Sequence, residues 1–333
     1  MPARVCAVSP RTKRWAVILL RIALTAVALV IVVRMIDLRR LLEIFEAANK
    51  LLLIGLVLAL LIPCLILGLR WWLLLRGHGF DVTFGRAFFV TYAGIFFNNF
   101  LPGGVGGDLT KAILVSAGEE RKAAAVGTVV LDRLVGLAVL IFLGAACLAP
   151  FVGRFESSQV PILVFGLAGG VILAYLLYFS ETLRGLMKAR LPFRETTGQL
   201  DGVFRLAKDR KPLMAATAGL SLLSQVISIL IIVGLARSLG IQGTPMWTFF
   251  VFEPIIFIVV ALPISVGGLG AQEWAYAYLF GTFAGMDPNQ AVALSILYRL
   301  SLILISIPGG LLFALGATKR PVSVSAGTNR VHR

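Results

Sequence analysis

Long apolar segments, separated by shorter polar stretches, recur along most of the chain. A helix needs about 20 mostly apolar residues to cross a bilayer. Six segments meet this requirement: 15–36, 51–74, 123–149, 160–179, 213–237 and 290–316. The first is longer than the apolar part of a cleavable signal peptide, and it is followed by Arg39 and Arg40 instead of a small-residue cleavage site. The pattern therefore predicts an all-α, polytopic integral membrane protein with about six full spans, the first of them uncleaved.

Two further apolar regions, 85–116 and 247–282, are each interrupted in the middle by a proline and paired glycines. A continuous helix is not expected to pass through either interruption, because proline removes a backbone donor and glycine weakens a helix. Non-helical backbone at membrane depth must be buried in protein or line a polar cavity. We therefore interpret both regions as re-entrant helical hairpins, in which two half-helices meet at a loop.

The polar segments carry the basic residues and predict the orientation. Most of the 31 Lys and Arg residues lie in the N-terminus (1–14), beside the first hairpin, in segment 180–212 and in the tail (317–333). Cytoplasmic loops are enriched in Lys and Arg, so we expect both termini in the cytoplasm. Segment 34–50, with its four basic residues, is an exception. Segment 180–212 is expected to be either a helix on an anionic membrane surface or a solvated loop, and the tail is expected to be disordered.

Composition excludes several classes of protein. Hydrophobic residues make up 59% of the chain and charged residues 14%, whereas about a quarter of a soluble domain is charged. This excludes a water-soluble enzyme and a disordered chain. The net charge of +15 does not indicate nucleic-acid binding, because the bases lie between apolar segments. Three cysteines and two histidines show no metal-ligand or disulfide spacing, and no phosphate-binding loop motif occurs. We expect no metal, cofactor or nucleic-acid partner.

The two interrupted regions share a pattern that indicates an internal repeat. It reads Leu101-Pro102-x-x-Val105-Gly106-Gly107 in the first region and Leu262-Pro263-x-x-Val266-Gly267-Gly268 in the second. Each half of the chain, about 15–149 and 160–316, holds two predicted spans, a hairpin and one further span. Because three spans are an odd number, the second half would be inserted upside down. This order predicts an inverted-topology repeat with a polar site near the membrane midplane, where the broken helices meet.

Three motifs carry a resemblance to a known family. They are Asn98-Asn99-x-Leu101-Pro102-Gly103-x-x-Gly106-Gly107-Asp108-x-x-Lys111, Asp132-Arg133-x-x-Gly136 and Pro263-x-x-x-Gly267-Gly268-x-Gly270-x-x-Glu273. With these motifs, the chain from about Trp15 to Gly316 resembles the flippase-like transmembrane domain of lysylphosphatidylglycerol synthases, and stand-alone relatives often found beside glycosyltransferases. The synthases carry a soluble aminoacyl-transfer domain after the membrane part. Here 17 residues follow Gly316, so we do not expect lysyl transfer by this chain.

The resemblance implies that the protein translocates, or flips, a phosphate-bearing phospholipid or a polyprenyl-phosphate-linked sugar. The membrane would be the cytoplasmic membrane of a bacterium or archaeon. A glycosyltransferase or lipid-synthase partner and a homo-oligomer are both compatible with it. Two alternatives stay open: an intramembrane transferase acting on a polyprenyl-linked substrate, and an accessory subunit of a lipid-modifying complex. The chain has few acids and no Asp-x-x-Asp run, which makes the transferase the weaker alternative.

Charged and amide side chains in the apolar segments are the main candidates for ligand contact, because intramembrane charges are costly and commonly functional. The expected headgroup-binding residues are Asn98, Asn99, Lys111, Arg133 and Arg299. The alternatives are structural. Asp108 could pair with Lys111, the two arginines could lock helices by pairing with nearby acids, and the two asparagines could bond to the hairpin backbone.

Three acids in apolar surroundings are candidates for proton transfer or for ion pairs: Asp132, Glu253 and Glu273. Burial favours the neutral form of a carboxyl group, so such an acid can carry a proton. Equally, Asp132 could pair with Arg133, and either glutamate could pair with Arg299. The sequence leaves both interpretations open.

A further set of residues is expected to shape the hairpin loops: Pro102, Gly106, Gly107, Asp108, Pro263, Gly267, Gly268 and Gly270. The glycines permit unusual backbone conformations and close helix approach. Asp108 is expected to be the N-cap of the returning half-helix. Trp71 and Trp72, next to Arg70, are typical of an aromatic belt at the membrane interface.

Overall fold

A computed structural model describes residues 37–100, 106–116, 122–154, 158–179, 209–261 and 265–315. All regular elements in these ranges are helices, as the apolar pattern predicts. The predicted first span (15–36), the basic N-terminus, most of segment 180–212 and the tail lie outside the described residues.

The described part of the first half contains six α-helices: α1 (Leu38–Glu46), α2 (Lys50–Ala59), α3 (Leu61–Gly77), α4 (Phe84–Phe100), α5 (Gly106–Ser116) and α6 (Lys122–Leu148). Helices α2 and α3 are separated by a turn at Leu60 and together form one span of 28 residues. Pro63 explains the break, because it has no backbone N–H to donate to the Ala59 carbonyl. A 3-10 helix follows α6 over Ala149–Arg154.

The described part of the second half contains five α-helices: α7 (Gln159–Phe179), α8 (Lys211–Ser238), α9 (Met246–Ala261), α10 (Ala271–Ala284) and α11 (Pro288–Ala314). A short 3-10 helix, Val266–Gly268, lies between α9 and α10. Prolines near the starts of α8 and α11 fit the first helical turn, where a backbone N–H has no intrahelical partner in any case.

Among the described residues, four helical segments are long and apolar enough to cross a membrane: Lys50–Gly77, Lys122–Gly153, Lys211–Ser238 and Pro288–Ala314. They coincide with four of the six predicted spans. The predicted span 160–179 forms α7, and an exact count of six stays a prediction. Large apolar side chains cover the outer helices, with Leu51 83% and Ile162 67% exposed. Such surfaces are favourable in lipid and costly in water.

Both interrupted regions fold as two packed helical arms. The arms contain 17 and 11 residues in α4 and α5, and 16 and 14 in α9 and α10. Each is shorter than the roughly 20 residues that cross a bilayer. In the first pair the backbones touch, because a Cβ on Gly107 would lie 2.5 Å from the Gly94 carbonyl oxygen. In the second pair the Phe249 and Phe280 rings lie 4.8 Å apart. Pro102 and Pro263 lie outside the described residues.

Helix α1 is an element that the apolar pattern did not predict. Asp37 caps it by accepting a hydrogen bond from the Arg39 backbone N–H at 2.9 Å. Leu41 on its apolar face joins the main core, and Arg40 lies 3.0 Å from Asp287 at the start of α11. The four basic residues of segment 34–50 thus belong in part to an amphipathic helix that packs on the second half.

Helices of the two halves interlock. A Cβ on Gly309 of α11 would lie 2.6 Å from the Tyr92 carbonyl oxygen of α4. A Cβ on Gly144 of α6 would lie 3.0 Å from Pro254 of α9. Each half therefore packs the first arm of its hairpin against the last helix of the other half. Small residues at these positions allow the close approach.

Candidate functional site

A buried cluster of charges lies between α3, α5 and α6. Arg70 Nε donates to Asp132 Oδ1 at 2.7 Å, and Lys111 Nζ donates to Asp132 Oδ2 at 3.3 Å. All three residues are at most 8% exposed. The three side chains come from separate helices, so the folded bundle rather than local sequence brings them together. We call Arg70, Lys111 and Asp132 the cationic cluster.

Helix α8 of the second half completes the surroundings of Arg70. Arg70 Nη1 donates to the Ser221 hydroxyl at 2.7 Å, and Gln225 Nε2 donates to the Gly136 carbonyl at 2.8 Å. A Cβ on Gly136 would lie 2.9 Å from Arg70 Nη1, so any larger residue there would displace the guanidinium. The Gln225 Oε1 atom is buried and has no hydrogen-bond donor among the described residues. The cluster therefore sits where the two halves of the protein meet.

Trp71 lies directly against Lys111. The Lys111 ammonium is 5.0 Å from the centre of the Trp71 ring, at cation–π distance. Trp71 is 1% exposed, and its indole N–H is buried without an acceptor among the described residues. The predicted place of Trp71 in an interface belt is wrong, because this side chain packs in the interior beneath a lysine. Trp72 donates from its own indole N–H to the Val82 carbonyl at 2.8 Å.

The cationic cluster is not neutral. Two cations face one carboxylate, which leaves a net charge of +1 in the protein interior. Arg70 has five N–H donors and Lys111 has three, whereas the described residues accept two hydrogen bonds from Arg70 and one from Lys111. An uncompensated buried charge is strongly destabilising. The arrangement thus favours an anion that accepts from both cations.

Asp108 and Arg133 form a second pair in the first half. The Arg133 guanidinium donates to the Asp108 carboxylate, and both side chains are partly buried. Helix α5 begins at Gly106, so Asp108 lies in its first turn and is not the N-cap that the sequence predicted. The helix starts earlier because two glycines can enter it where they pack against α4. An acid in the first turn still interacts favourably with the helix dipole.

Arg299 holds the second hairpin. Its guanidinium donates to Glu273 Oε1 at 2.9 Å, to the Gly267 and Gly268 carbonyls at 2.7 and 2.9 Å, and to Gln272 Oε1 at 2.9 Å. The other Glu273 oxygen accepts from the Gly270 backbone N–H at 2.7 Å. These contacts favour the structural alternative for Arg299, a lock between α11 and the hairpin loop.

The hairpin glycines have two different roles. Gly267, Gly268 and Gly270 have φ angles of 57°, 75° and 78°, a region that other residues rarely adopt. Their carbonyls can therefore turn toward Arg299. Gly106 and Gly107 are helical instead, and Gly107 packs closely against Gly94 of α4.

Asn98 and Asn99 lie at the end of α4 and bond to protein. Asn98 Oδ1 accepts from the Gly107 backbone N–H at 2.6 Å, and Asn99 Nδ2 donates to the Ser306 hydroxyl at 3.1 Å. A Cβ on Gly267 would lie 2.6 Å from the Asn99 carbonyl oxygen. The loop of the second hairpin thus contacts the end of α4, which is the first arm of the first hairpin.

Glu253 lies apart from these ion pairs. It is buried in α9, and its carboxylate accepts a hydrogen bond from the Tyr276 hydroxyl of α10 at 2.6 Å. The structure does not place it next to Arg299, the partner that the sequence had left open for either glutamate. Within the described ranges, no three His, Cys, Asp or Glu side chains are close enough together to hold a metal ion.

Arg70 and Ser221 belong to the site but are not among the candidates that the sequence predicts. Arg70 lies within the predicted span 51–74, and this position was the available signal, because a charge inside a span is costly unless it has a partner. Ser221 had no such signal, since serine is common in membrane helices.

The helices and their lipid-facing surfaces define a multi-pass α-helical membrane protein. The sequence model of the family described as "Lysylphosphatidylglycerol synthase TM region" matches residues 18–309. The chain therefore belongs to this family, as the three motifs indicated, and its function is related to membrane lipids. No curated protein gives a significant match to the chain.

Proposed function

We propose that the protein translocates a phosphate-bearing lipid, either a phospholipid or a polyprenyl-phosphate-linked sugar, across the cytoplasmic membrane of a bacterium or archaeon. The observation that carries this proposal is the buried net positive charge of the cationic cluster. A lipid phosphate supplies the missing negative charge and accepts hydrogen bonds from both Arg70 and Lys111. Asp132 keeps the two cations in place when no phosphate is bound. The acyl or prenyl chains remain in the bilayer.

The interlocked halves support a path for the headgroup. Arg133 and Arg299 each follow a hairpin and pair with the third residue of the returning arm, Asp108 in α5 and Glu273 in α10. This correspondence supports a repeat of the two halves. In our proposal the repeat is inverted and both termini lie in the cytoplasm. The two hairpins would then enter from opposite faces and meet near Asn99 and Gly267. Separation of the hairpins at this contact would expose the cationic cluster to one face at a time.

The test uses purified protein in vesicles that contain phosphatidylglycerol with a fluorescent acyl chain. A membrane-impermeant quencher measures how fast the labelled lipid changes leaflets. Lys111→Met removes one cation and one charge-assisted contact. We expect the rate to fall about tenfold or more, because such a contact contributes about 1.5–3 kcal/mol. The matched control is Arg76→Met in the same helix as Arg70, since Arg76 pairs with Asp81 at the exposed surface.

Stability separates this role from a purely structural one. Lys111→Met leaves Arg70 and Asp132 as a neutral buried pair. We therefore expect its unfolding temperature in detergent to equal or exceed that of the wild type. The proposal would be contradicted if the variant unfolded more easily and its loss of lipid movement matched its loss of folded protein. A lipid product with a new covalent bond would favour the transferase, and absence of movement in the wild type would favour an accessory subunit.

A further inference from the structure

Glu253 is the buried carboxylate whose surroundings the proposed function does not use. It is 8% exposed in a strongly apolar part of α9, next to the fully buried Val251 and Phe252. The Tyr276 hydroxyl donates to Glu253 Oε1 at 2.6 Å. Among the described residues, no Lys, Arg or His nitrogen lies within 4 Å of the Glu253 carboxylate. The other acids of the interior differ from Glu253 in this respect, because Asp132 and Glu273 each bond to at least one cation.

The titratable groups near Glu253 are mainly tyrosines. Tyr276 of α10 and Tyr298 of α11 both interact electrostatically with its carboxyl group. Glu273 also faces Tyr276, but its charge is paired with Arg299. Cys64 of α3 also interacts electrostatically with Tyr298. None of these groups supplies a positive charge to Glu253.

Among the described residues, the remaining helices against α9 contribute no compensating charge at this point. Helix α6 packs Gly144 against Pro254, the next residue along α9. Helix α8 contributes Arg237, which lines a cavity. Phe249, one helical turn before Glu253 on α9, lines the same cavity. In a medium of such low polarity, an isolated ionised carboxylate costs far more free energy than a neutral one. A carboxyl group held in this way is suited to gaining and losing a proton.

A cavity with polar lining residues lies near Glu253. Its volume is about 360 Å³, and its lining includes Arg237, Gln242, Thr244 and Phe249, at the connection between α8 and α9. Phe249 and Glu253 are four residues apart on α9, which is about 6 Å along the helix axis. Water that enters the cavity at Phe249 would therefore lie about one helical turn along α9 from Glu253.

We propose that Glu253 is a proton-binding site that couples lipid translocation to a transmembrane proton gradient. A proton passes from water in the cavity to a Glu253 carboxylate oxygen, and the carboxylate becomes a neutral acid. The Tyr276 hydroxyl donates to the carboxylate and can accept from the acid, so one hydrogen bond persists in both forms. The proton leaves to water on the opposite face after the hairpins rearrange. Only O–H bonds form and break. The coupling rests on the proposed function, whereas the proton site does not.

The proton site can be tested without any lipid movement. Infrared spectra of the protein in membranes, recorded at low and high pH, reveal the C=O stretch of protonated carboxyl groups. We expect a wild-type band that exchanges slowly in D2O, is absent from Glu253→Gln and is retained in Glu43→Gln, an exposed control in α1. Glu253→Asp keeps a carboxyl group and should restore a shifted band. Absence of a Glu253-dependent band would overturn the proton site.

The coupling is tested in the fluorescent phosphatidylglycerol vesicles with and without an imposed pH gradient. Wild-type protein should move the lipid at different rates under the two conditions, and in Glu253→Gln the two rates should become equal. Equal rates in the wild type would overturn the coupling. Absence of phosphatidylglycerol movement in every condition would overturn the phospholipid form of the proposed function instead, and the infrared result would still decide whether Glu253 binds a proton.

Discussion

Asp132 and Glu273 are equally buried, with side chains 5% exposed, yet the charge around them differs. Asp132 faces both Arg70 and Lys111. Glu273 faces Arg299 alone, and the remaining Arg299 contacts are with carbonyl and amide oxygens of the second hairpin. The charge is therefore balanced around Glu273 and unbalanced around Asp132. An anionic ligand lowers the free energy of the first cluster and has no such effect on the second.

Asp132→Asn tests this difference by removing the one negative charge of the cationic cluster. Two buried cations then have no counter-charge, and we expect a loss of about 3–5 kcal/mol in the free energy of unfolding. Denaturant unfolding in detergent measures it. The control is Asp81→Asn, which breaks the exposed pair with Arg76 and should cost at most about 1 kcal/mol. Similar losses in the two variants would show that Asp132 does not balance a buried charge.

The second hairpin depends on the shape of the Arg299 side chain as well as its charge. A guanidinium presents five donors in a planar fork, whereas an ammonium is a point charge on a flexible chain. In Arg299→Lys, one nitrogen cannot reach Glu273, two glycine carbonyls and Gln272 together. We expect faster amide hydrogen exchange at Gly268 and Gly270, and a loss of about 1–3 kcal/mol for the hydrogen-bond acceptors left without donors.

Exchange in the rest of the bundle, for example in α3, serves as the internal control for Arg299→Lys. If Arg299 stabilises only the second hairpin, amide hydrogen exchange should increase in that hairpin first and stay unchanged in α3. Uniformly faster exchange would mean that Arg299 supports the whole fold and not this element. The equivalent change Arg133→Lys should have a smaller effect, because Arg133 and Asp108 are only partly buried.

Helices could be predicted from the sequence more completely than their contacts. The lengths of apolar segments located the spans, and the proline and glycine interruptions located both pairs of short arms. Local patterns do not specify which charges meet. Arg70 and Asp132 are 62 positions apart, and they join only because α3 packs against α6. Helix α1 was missed because its nine residues are too few for a span and its basic residues suggested a loop.

At the scale of the molecule, the contacts between halves come in matching sets. Helix α4 packs against α11, and α9 packs against α6, in each case the first arm of one hairpin against the last helix of the other half. The second arms, α5 and α10, pack against α6 and α11 of their own halves. Two copies of one structural unit, related by a two-fold axis, would produce this pattern, in which each half packs its first arm against the other half. An axis in the membrane plane would make the halves enter from opposite faces.

Labelling from the two sides of the membrane decides the orientation. Single cysteines would replace Thr83, just before α4, and Gln242, before α9, in a chain whose natural cysteines are changed to serine. Both positions are exposed. If the halves are inverted, a membrane-impermeant thiol reagent reaches the two sites from opposite faces. Thr282→Cys, near the end of α10, is the control and should react from the same face as Gln242→Cys. Labelling of Thr83→Cys and Gln242→Cys from one face would place both hairpins on the same side, and the path that brings a headgroup to the cationic cluster from each face in turn could not exist.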